Sequence, residues 1–308
     1  MSTTALEVLN LKKTFGKLKA VDDVSFDVRC GEILAFLGPN GAGKTTIINL
    51  ITGELQKDSG DIRVFEGQRS NESFTHNRMG VCTQELQLWP LLTCEEQLHF
   101  IGRINGVKGR QVKRRAEDLL ERVGLQEKRR TMAKKLSGGM KRRLHLIMSL
   151  VHDPGLIILD EPEAGLDPQS RVLVREFIKS LAGSKTILLT THNMDEAEKL
   201  ADRVAVMDRG RLLELDTTEA LRKKLAPEDS LDIVFGKNVS VPVGMDTAPY
   251  HVYAKDETMT VTGESLIGLM PEILNRVVQE NGNPLSFDFR RSSLEDVFIK
   301  LTGRGLRE

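Results

Sequence analysis

The chain opens with short runs of aliphatic and β-branched residues separated by polar turns. Leu6–Leu11 and Val24–Val28 read as strands around a polar Lys17–Lys19 turn, and Glu32–Leu37 is an apolar run that leads straight into glycines. Over Thr45–Ile51 the apolar positions recur at helical spacing instead. Further along, Met79–Thr83, Leu156–Leu159 and Thr186–Thr190 are short apolar runs, suited to a sheet covered on both faces. Arg203–Met207 and Arg211–Leu215 flank Asp208-Arg209-Gly210 and predict a hairpin. Glu95–Asn105, Gln111–Val123 and Gly138–Val151 carry apolar residues three and four apart, which predicts helices from about residue 95 to about 150. Strands interleaved with helices in this order predict an α/β fold with a largely parallel sheet.

A break is expected near Leu225-Ala226-Pro227-Glu228-Asp229, because helix Thr218–Leu225 runs up against a proline. The first domain is therefore placed at 1–225 and a second at 226–308. Beyond the break, Leu231–Phe235, Tyr250–Ala254, Met259–Thr262 and Leu285–Phe289 read as strands, and Leu266–Glu280 as an amphipathic helix. Ser293–Leu301 reads as a closing helix with Ser293 as its N-cap and Asp296 three residues on. The second domain is thus a small α+β unit.

Composition narrows the function classes. The 308 residues hold 44 Lys plus Arg and 44 Asp plus Glu, for a net charge of zero, which argues against a protein dedicated to coating nucleic acid. The charge is uneven, however. Residues 103–143 contain 15 basic and 4 acidic side chains. Such a run is either a solvated helical face or a positive field close to a polyanionic ligand or anionic lipid headgroups. Residues 226–308 lean acidic, with 8 basic side chains against 13 acidic. The longest charge-free run, Ile33–Gly43, is too short to cross a bilayer, and no basic-then-apolar signal region is visible. A cytoplasmic chain is expected. Cys30, Cys82 and Cys94 lack paired spacing and read as core filler in a reducing compartment rather than as metal or redox groups.

The chemistry is concentrated in three segments. Gly38-Pro39-Asn40-Gly41-Ala42-Gly43-Lys44-Thr45-Thr46 matches G-x-x-x-x-G-K-[ST] between an expected strand and an expected helix. Glycines there let backbone N–H groups curl around phosphate oxygens, and the helix N-terminus adds positive potential. Lys44 would reach the β- and γ-phosphates, and the Thr45 hydroxyl would bind Mg²⁺. Leu156–Leu159 ends in Asp160-Glu161. An acid at that strand edge can hold Mg²⁺ through water, and the next one, offset by a residue, can orient or deprotonate an attacking water. Leu136-Ser137-Gly138-Gly139-Met140 begins a helix and is followed by Lys141, Arg142 and Arg143. It is a plain capped helix start, or a second anion-binding helix N-terminus within the same domain.

Together these segments resemble the ATP-binding subunit of an ABC transporter, over roughly residues 5–215. The resemblance implies a P-loop NTPase cassette with a mostly parallel core sheet, an antiparallel β part and a helical subdomain. It also implies ATP and Mg²⁺ as ligands and ATP hydrolysis as the activity. Gln84 matches the loop glutamine that contacts Mg²⁺ and senses the membrane subunit. Gly165-Leu166-Asp167 matches a loop that reaches across a dimer, and His192 in Thr190-Thr191-His192 matches the switch histidine at the γ-phosphate. Phe15, 23 residues before Gly38, stands where the family places an adenine-stacking ring; a core-facing phenylalanine is the other reading. By the same resemblance Glu161 is the general base, and each ATP lies between one copy's Lys44 loop and the other copy's Ser137, Gly138, Gly139 and Asp167.

Two positions depart from the commoner pattern: Met140 where glutamine is frequent, and Glu163 where Ser or Thr is frequent. Leu-Ser-Gly-Gly-Met-Lys-Arg-Arg and the ending Ser293–Gly303 are similar instead to ABC-2 type exporters of the daunorubicin-resistance and nodulation-factor groups. The implied partners are an integral membrane permease and a second ATPase copy, identical or related, with no nucleic acid and a location on the cytoplasmic membrane face. Gln87-Leu88-Trp89-Pro90-Leu91 offers an apolar docking surface for that permease, unless Trp89 is a core residue. A soluble ABC ATPase and an importer ATPase are the alternatives. The first is opposed by the single cassette without heptad runs, the second by the short tail.

Overall fold

The computed structural model describes residues 4–65, 68–69, 78–225, 228–242, 245–246 and 249–303. Within them the chain divides into two compact units, one ending at Thr218 and one beginning at Glu219. The expected break at Leu225 therefore comes late. Helix Thr218–Leu225 belongs to the second unit almost entirely, and residues 226 and 227 of the expected linker lie outside the described residues.

The first unit contains two sheets. Strands β1 (Thr4–Phe15), β2 (Leu18–Arg29), β4 (Ser59–Val64) and β5 (Gln68–Arg69) form an antiparallel sheet in the order β2-β1-β4-β5. The first two strands run longer than expected, and their turn is Gly16-Lys17, where Gly16 supplies a left-handed φ of 57°. The other sheet contains β3 (Ile33–Leu37), β6 (Met79–Cys82), β7 (Leu156–Asp160), β8 (Thr186–Thr191), β9 (Arg203–Asp208) and β10 (Arg211–Asp216), in the order β10-β9-β3-β8-β7-β6. It is parallel apart from the β9–β10 hairpin. Every residue of β3, β7 and β8 is buried, as expected of strands with apolar centres covered on both faces.

The two sheets share one core with α1 (Lys44–Ile51): Leu6, Val8, Phe26, Phe36, Ile47, Ile158 and Met207 all belong to it. Phe26 and Phe36 meet edge to face with ring centroids 4.9 Å apart. Fully burying each such side chain contributes about 1.5–3 kcal/mol, so this cluster supplies much of what holds the strand ends, and the loops they launch, in place.

Helices α2 (Cys94–Ile104), α3 (Gly109–Arg122) and α4 (Gly138–Met148) make the helical part between β6 and β7. Thr93 starts α2 with a reciprocal capping box to Glu96. In α3, Val112, Ala116, Leu119 and Leu120 form the buried stripe, while Arg110, Lys113 and Arg114 are exposed. The basic run divides accordingly. Arg115 pairs with Asp153 at 2.9 Å, Arg122 lies over the Phe177 ring, and Arg142 and Arg143 are buried. Cys82 and Cys94 fill the core as expected, but Cys30 is exposed in the Cys30-Gly31 turn. Helices α5 (Pro168–Lys179) and α6 (Met194–Leu200) follow β7 and β8.

The second unit begins with α7 (Thr218–Leu225) and contains β11 (Glu228–Val234), β12 (Tyr250–Lys255), β13 (Thr258–Glu264) and β14 (Ser286–Arg290). These strands form an antiparallel sheet in the order β12-β13-β11-β14. Leu231, Ile233, Met259, Val261, Ile273 and Val277 make its core. The helix expected over Leu266–Glu280 is split into a 3₁₀ turn, Leu266–Gly268, and α8 (Met270–Asn281), because Pro271 can only occupy a first helical turn. α9 (Leu294–Thr302) starts at Ser293 with the expected reciprocal bonds to Asp296.

Candidate active site

The parallel strands deliver the candidate groups to one end of their sheet, where the C-terminal edges of an α/β sheet leave a crevice. The β3–α1 loop is fixed by close backbone packing. A Cβ on Gly38 would overlap the Met207 carbonyl, and one on Gly43, whose φ is 100°, would overlap the Ala20 carbonyl. The Lys44 ammonium turns back into this loop and donates to the carbonyls of Gly38 (2.6 Å) and Pro39 (2.9 Å). Burial holds its pKa below the usual lysine range, opposed by the nearby Glu161 and Asp160 carboxylates.

Thr45, first turn of α1, donates its hydroxyl to Asp160 Oδ2 at 3.1 Å, and Thr190 donates to the other oxygen of the same carboxylate. Thr190 also accepts the Glu161 N–H at 3.2 Å. Glu161 itself has φ 48°, a left-handed conformation that costs a non-glycine residue about 1–3 kcal/mol and persists only where its surroundings impose it. Here the Thr190 hydroxyl and carbonyl both take the Glu161 amide. The result aims the Glu161 side chain away from Asp160, toward Gln84 and His192. His192 Nδ1 lies 2.9 Å from Glu161 Oε1, and Gln84 Nε2 donates to Glu161 Oε2 at 3.4 Å. A carboxylate only accepts, so Nδ1 carries the hydrogen in this pair.

A cleft of about 720 Å³ runs along these groups, lined by Asn40, Gly41, Gly43, Lys44, Thr45, Thr46, Gln84 and Glu161. Phe15 stands at the same cleft, half exposed and with Lys13 Nζ 5.5 Å from its ring centroid, so the core-facing reading of Phe15 falls away. Ser137, Gly138, Gly139 and Asp167 do not line it. They cluster elsewhere: Ser137 caps α4 by accepting the Met140 N–H, and Asp167 caps α5 by accepting the Ser170 N–H at 3.0 Å. Gly139 is buried, and a Cβ there would overlap Ser170. The need for glycine at that position is thus already set inside the chain. Ser137 and Gly138 are exposed.

Sequence reasoning missed the residue that ties the site together. In the sequence Arg142 stands out only as one of three cations that follow the Ser137-Gly138-Gly139 turn. It is buried, and its guanidinium donates to five backbone carbonyls: Thr83 (2.9 Å), Gln84 (2.9 Å), Asp160 (2.8 Å), Glu161 (2.6 Å) and Pro162 (3.2 Å). One side chain of α4 thereby fixes both the Gln84 segment and the Asp160-Glu161 segment. A signal was present in the sequence. Leu144, Leu146, Ile147 and Met148 spread apolar side chains around the helix, so cations at its start need internal partners. Glu163, the unusual residue, is also internal and grips Arg175 through two bonds of 2.8 and 2.7 Å.

Trp89 is 41% exposed and packs edge to face on Phe100, so it is not a core residue. With Leu86, Leu88 and Ile101 it lines a second groove of about 440 Å³, floored by His145 and Met148. His145 sits 3.5 Å from Cys82 Sγ, and burial drives its pKa down to about 4, so it is neutral there.

A G-x-x-x-x-G-K-[ST] loop, a strand-end acid pair and a histidine 2.9 Å from the second acid, all on one parallel sheet, are the features of the P-loop class of nucleoside triphosphatases. The comparisons with known proteins narrow that class. The ABC transporter family profile matches residues 21–164. The chain is 34% identical to the linearmycin resistance ATP-binding protein LnrL of Bacillus subtilis, over 98% of this chain and all of that protein. It is 38% identical to the Nod factor export ATP-binding protein I of Rhizobium sp., over the full length of both. Among solved structures, the ATP-binding subunit of an ABC transporter superposes with TM-score 0.66 at 29% identity, over 71% of this chain and 92% of that one. The chain belongs to the ABC transporter family of ATP-binding subunits, and it is an ATPase.

Proposed function

We propose that this ATPase powers an ABC-2 type exporter, working as a head-to-tail dimer that closes on ATP and parts after hydrolysis. The observation that carries this reading is the separation of the two anion-binding turns. The Lys44 loop faces the cleft from one side, while Ser137 and Gly138 stand exposed at the start of α4 and contribute nothing to it. A γ-phosphate held in a dry site needs donors on both sides, and one loop covers one side. A second copy supplies the Ser137–Gly139 turn and Asp167.

In this reading Glu161 accepts a proton from the attacking water, His192 steadies the γ-phosphate, and Gln84 links the site to the membrane partner. Phe15 stacks on the adenine. The Thr45 hydroxyl, the Asp160 carboxylate and the Gln84 amide oxygen are hard oxygen donors that suit Mg²⁺, which neutralises charge on the phosphates when bound. The groove beside Trp89 receives a short helix of the permease, which places the protein on the cytoplasmic face of a membrane. Among the described residues no helix is long and apolar enough to cross one. The names of the similar proteins, a resistance ATP-binding protein and a Nod factor export protein, favour export over import. The second unit is assigned to dimer stabilisation or regulation.

The test is the mass of the Glu161→Gln chain by light scattering, with and without MgATP. A shift from monomer to dimer on adding ATP supports the reading. A monomer at every protein concentration, alone or mixed with a related ATPase encoded beside it, removes it. Co-purification with the neighbouring membrane protein tests the transport half.

A further inference from the structure

Glu196 lies on α6, immediately after the switch loop, and is 2% exposed. Its Oε2 accepts the Thr191 hydroxyl at 2.6 Å. Its Oε1 is buried and has no hydrogen-bonding partner among the described residues. A carboxylate held this way would be short of donors on one oxygen, and the nearby cation does not supply them. Arg175, from α5, gives both Nε and Nη2 to Glu163 and its remaining ion pair, at 3.5 Å, to Asp195. Asp195 in turn also takes Lys199 at 2.6 Å. The charged groups acting on Glu196 are therefore two carboxylates from the segment after β7, Glu161 and Glu163, which repel a negative charge, and a guanidinium already committed elsewhere. On its own helix the neighbouring Asp195 and Lys199 satisfy each other.

We infer that Glu196 is a positioning residue for the switch histidine and that it performs this role as a neutral, protonated acid. The mechanical link is short. Thr191, bonded to Glu196, directly precedes His192, and its hydroxyl also accepts the Asn193 N–H at 2.9 Å. Asn193 in turn caps α6 by accepting the amides of Asp195 and Glu196. Glu196 thus closes a loop of bonds around the backbone that presents His192 to Glu161. With a proton it feels no repulsion from these two acids. Without one it adds a third negative charge beside Glu161 and Glu163. The environment agrees with the geometry: burial, and then the neighbouring carboxylates, push the Glu196 carboxyl up to about 8, against the opposing effects of Thr191 and Arg175. The inference rests on the reading of Glu161 and His192 as the hydrolytic pair.

The experiment compares the intact wild-type chain with Glu196→Gln, an isostere of the neutral acid, and has two arms. The first is urea unfolding from pH 5.5 to 8.5, which needs no ATPase activity. An acid whose pKa is raised on folding binds more protons in the folded state, so its stability contribution is present at low pH and lost as pH rises. That loss starts at the unfolded value of 4.5 and ends near 8. The folding constant of the wild type should fall relative to Glu196→Gln by roughly tenfold per pH unit in that window. A ratio that stays flat overturns the inference. The second arm is the pH profile of steady-state ATPase. Near pH 7 the variant should keep kcat and KM within about twofold of wild type. Above pH 8 the wild type should lose kcat at constant KM while the variant does not. An alkaline limb shared by both proteins, or a variant inactive at pH 7, also overturns it. If Glu196→Gln does not fold, that failure itself counts against a neutral acid, and Glu196→Leu, which keeps the site uncharged but removes the Thr191 bond, then serves the unfolding arm alone. Full activity in Glu161→Gln would instead remove the hydrolytic reading, and it would leave the unfolding arm untouched.

Discussion

Replacing Arg142 with lysine keeps the positive charge and removes the fork. The guanidinium makes five charge-assisted bonds to backbone carbonyls on two separate segments. An ammonium has three donors on a single point and cannot reach both segments at once. At least two carbonyls lose their partner, and each such bond contributes about 1.5–3 kcal/mol when charged. The bonds to Thr83 and Gln84 are the more accessible, so water recovers part of that loss, while those to Asp160 and Glu161 are enclosed. The expected cost is about 2–4 kcal/mol, a large share of the roughly 5–15 kcal/mol that holds an ordinary domain together. Urea unfolding followed through Trp89, the only tryptophan, reports on the affected unit. The same preparation should show a kcat reduced by at least tenfold, because Gln84 and Glu161 lose their common anchor. A chain within about 0.5 kcal/mol of wild type with undiminished kcat would refute the argument. A stability loss without any change in kcat would reduce Arg142 to a brace with no influence on the reacting groups.

Other outcomes follow from the same geometry. Glu161→Gln should abolish steady turnover and retain ATP binding, so that normal ATPase activity would remove Glu161 from the role of base. Lys44→Ala should lose ATP affinity by at least tenfold in calorimetry, and unchanged binding would contradict the loop assignment. Gly139→Ala introduces a Cβ that overlaps Ser170 and should destabilise the chain by about 1–3 kcal/mol. Ser170→Gly in the same chain should restore most of that loss, and strict additivity of the two changes would show that they do not touch.

The strands that launch the site were legible because each had a single solution. β3, Leu156–Leu159 of β7 and Ile187–Leu189 of β8 are apolar without a break, and burial on both faces accommodates that. The positions of the Gly38–Thr46 loop, between a strand and a helix, and of Asp160-Glu161, at a strand end, were legible from spacing alone. Arg142 was not, because a basic residue in a basic run looks solvated until the helix behind it is seen to be enclosed. Thr190 was passed over for a similar reason. A threonine in a buried strand reads as β-branched filler, yet its hydroxyl here joins Asp160 to the Glu161 amide. The split of the expected helix ahead of Pro271 shows the opposite error, in which a pattern was extended past a local breaker. The unit boundary falls at Thr218, ahead of helix Thr218–Leu225 rather than behind it, and periodicity alone does not say to which unit a short helix belongs.

The contacts of Gly38 with the Met207 carbonyl and of Gly43 with the Ala20 carbonyl give the phosphate-binding loop its shape without help from any ligand. Little conformational entropy then remains to be lost when a nucleotide arrives, so capture at this half of the site resembles docking into a rigid mould. On the dimer cycle proposed above, the ordering cost shifts to later steps, where polypeptides rather than a small molecule must come to rest against one another.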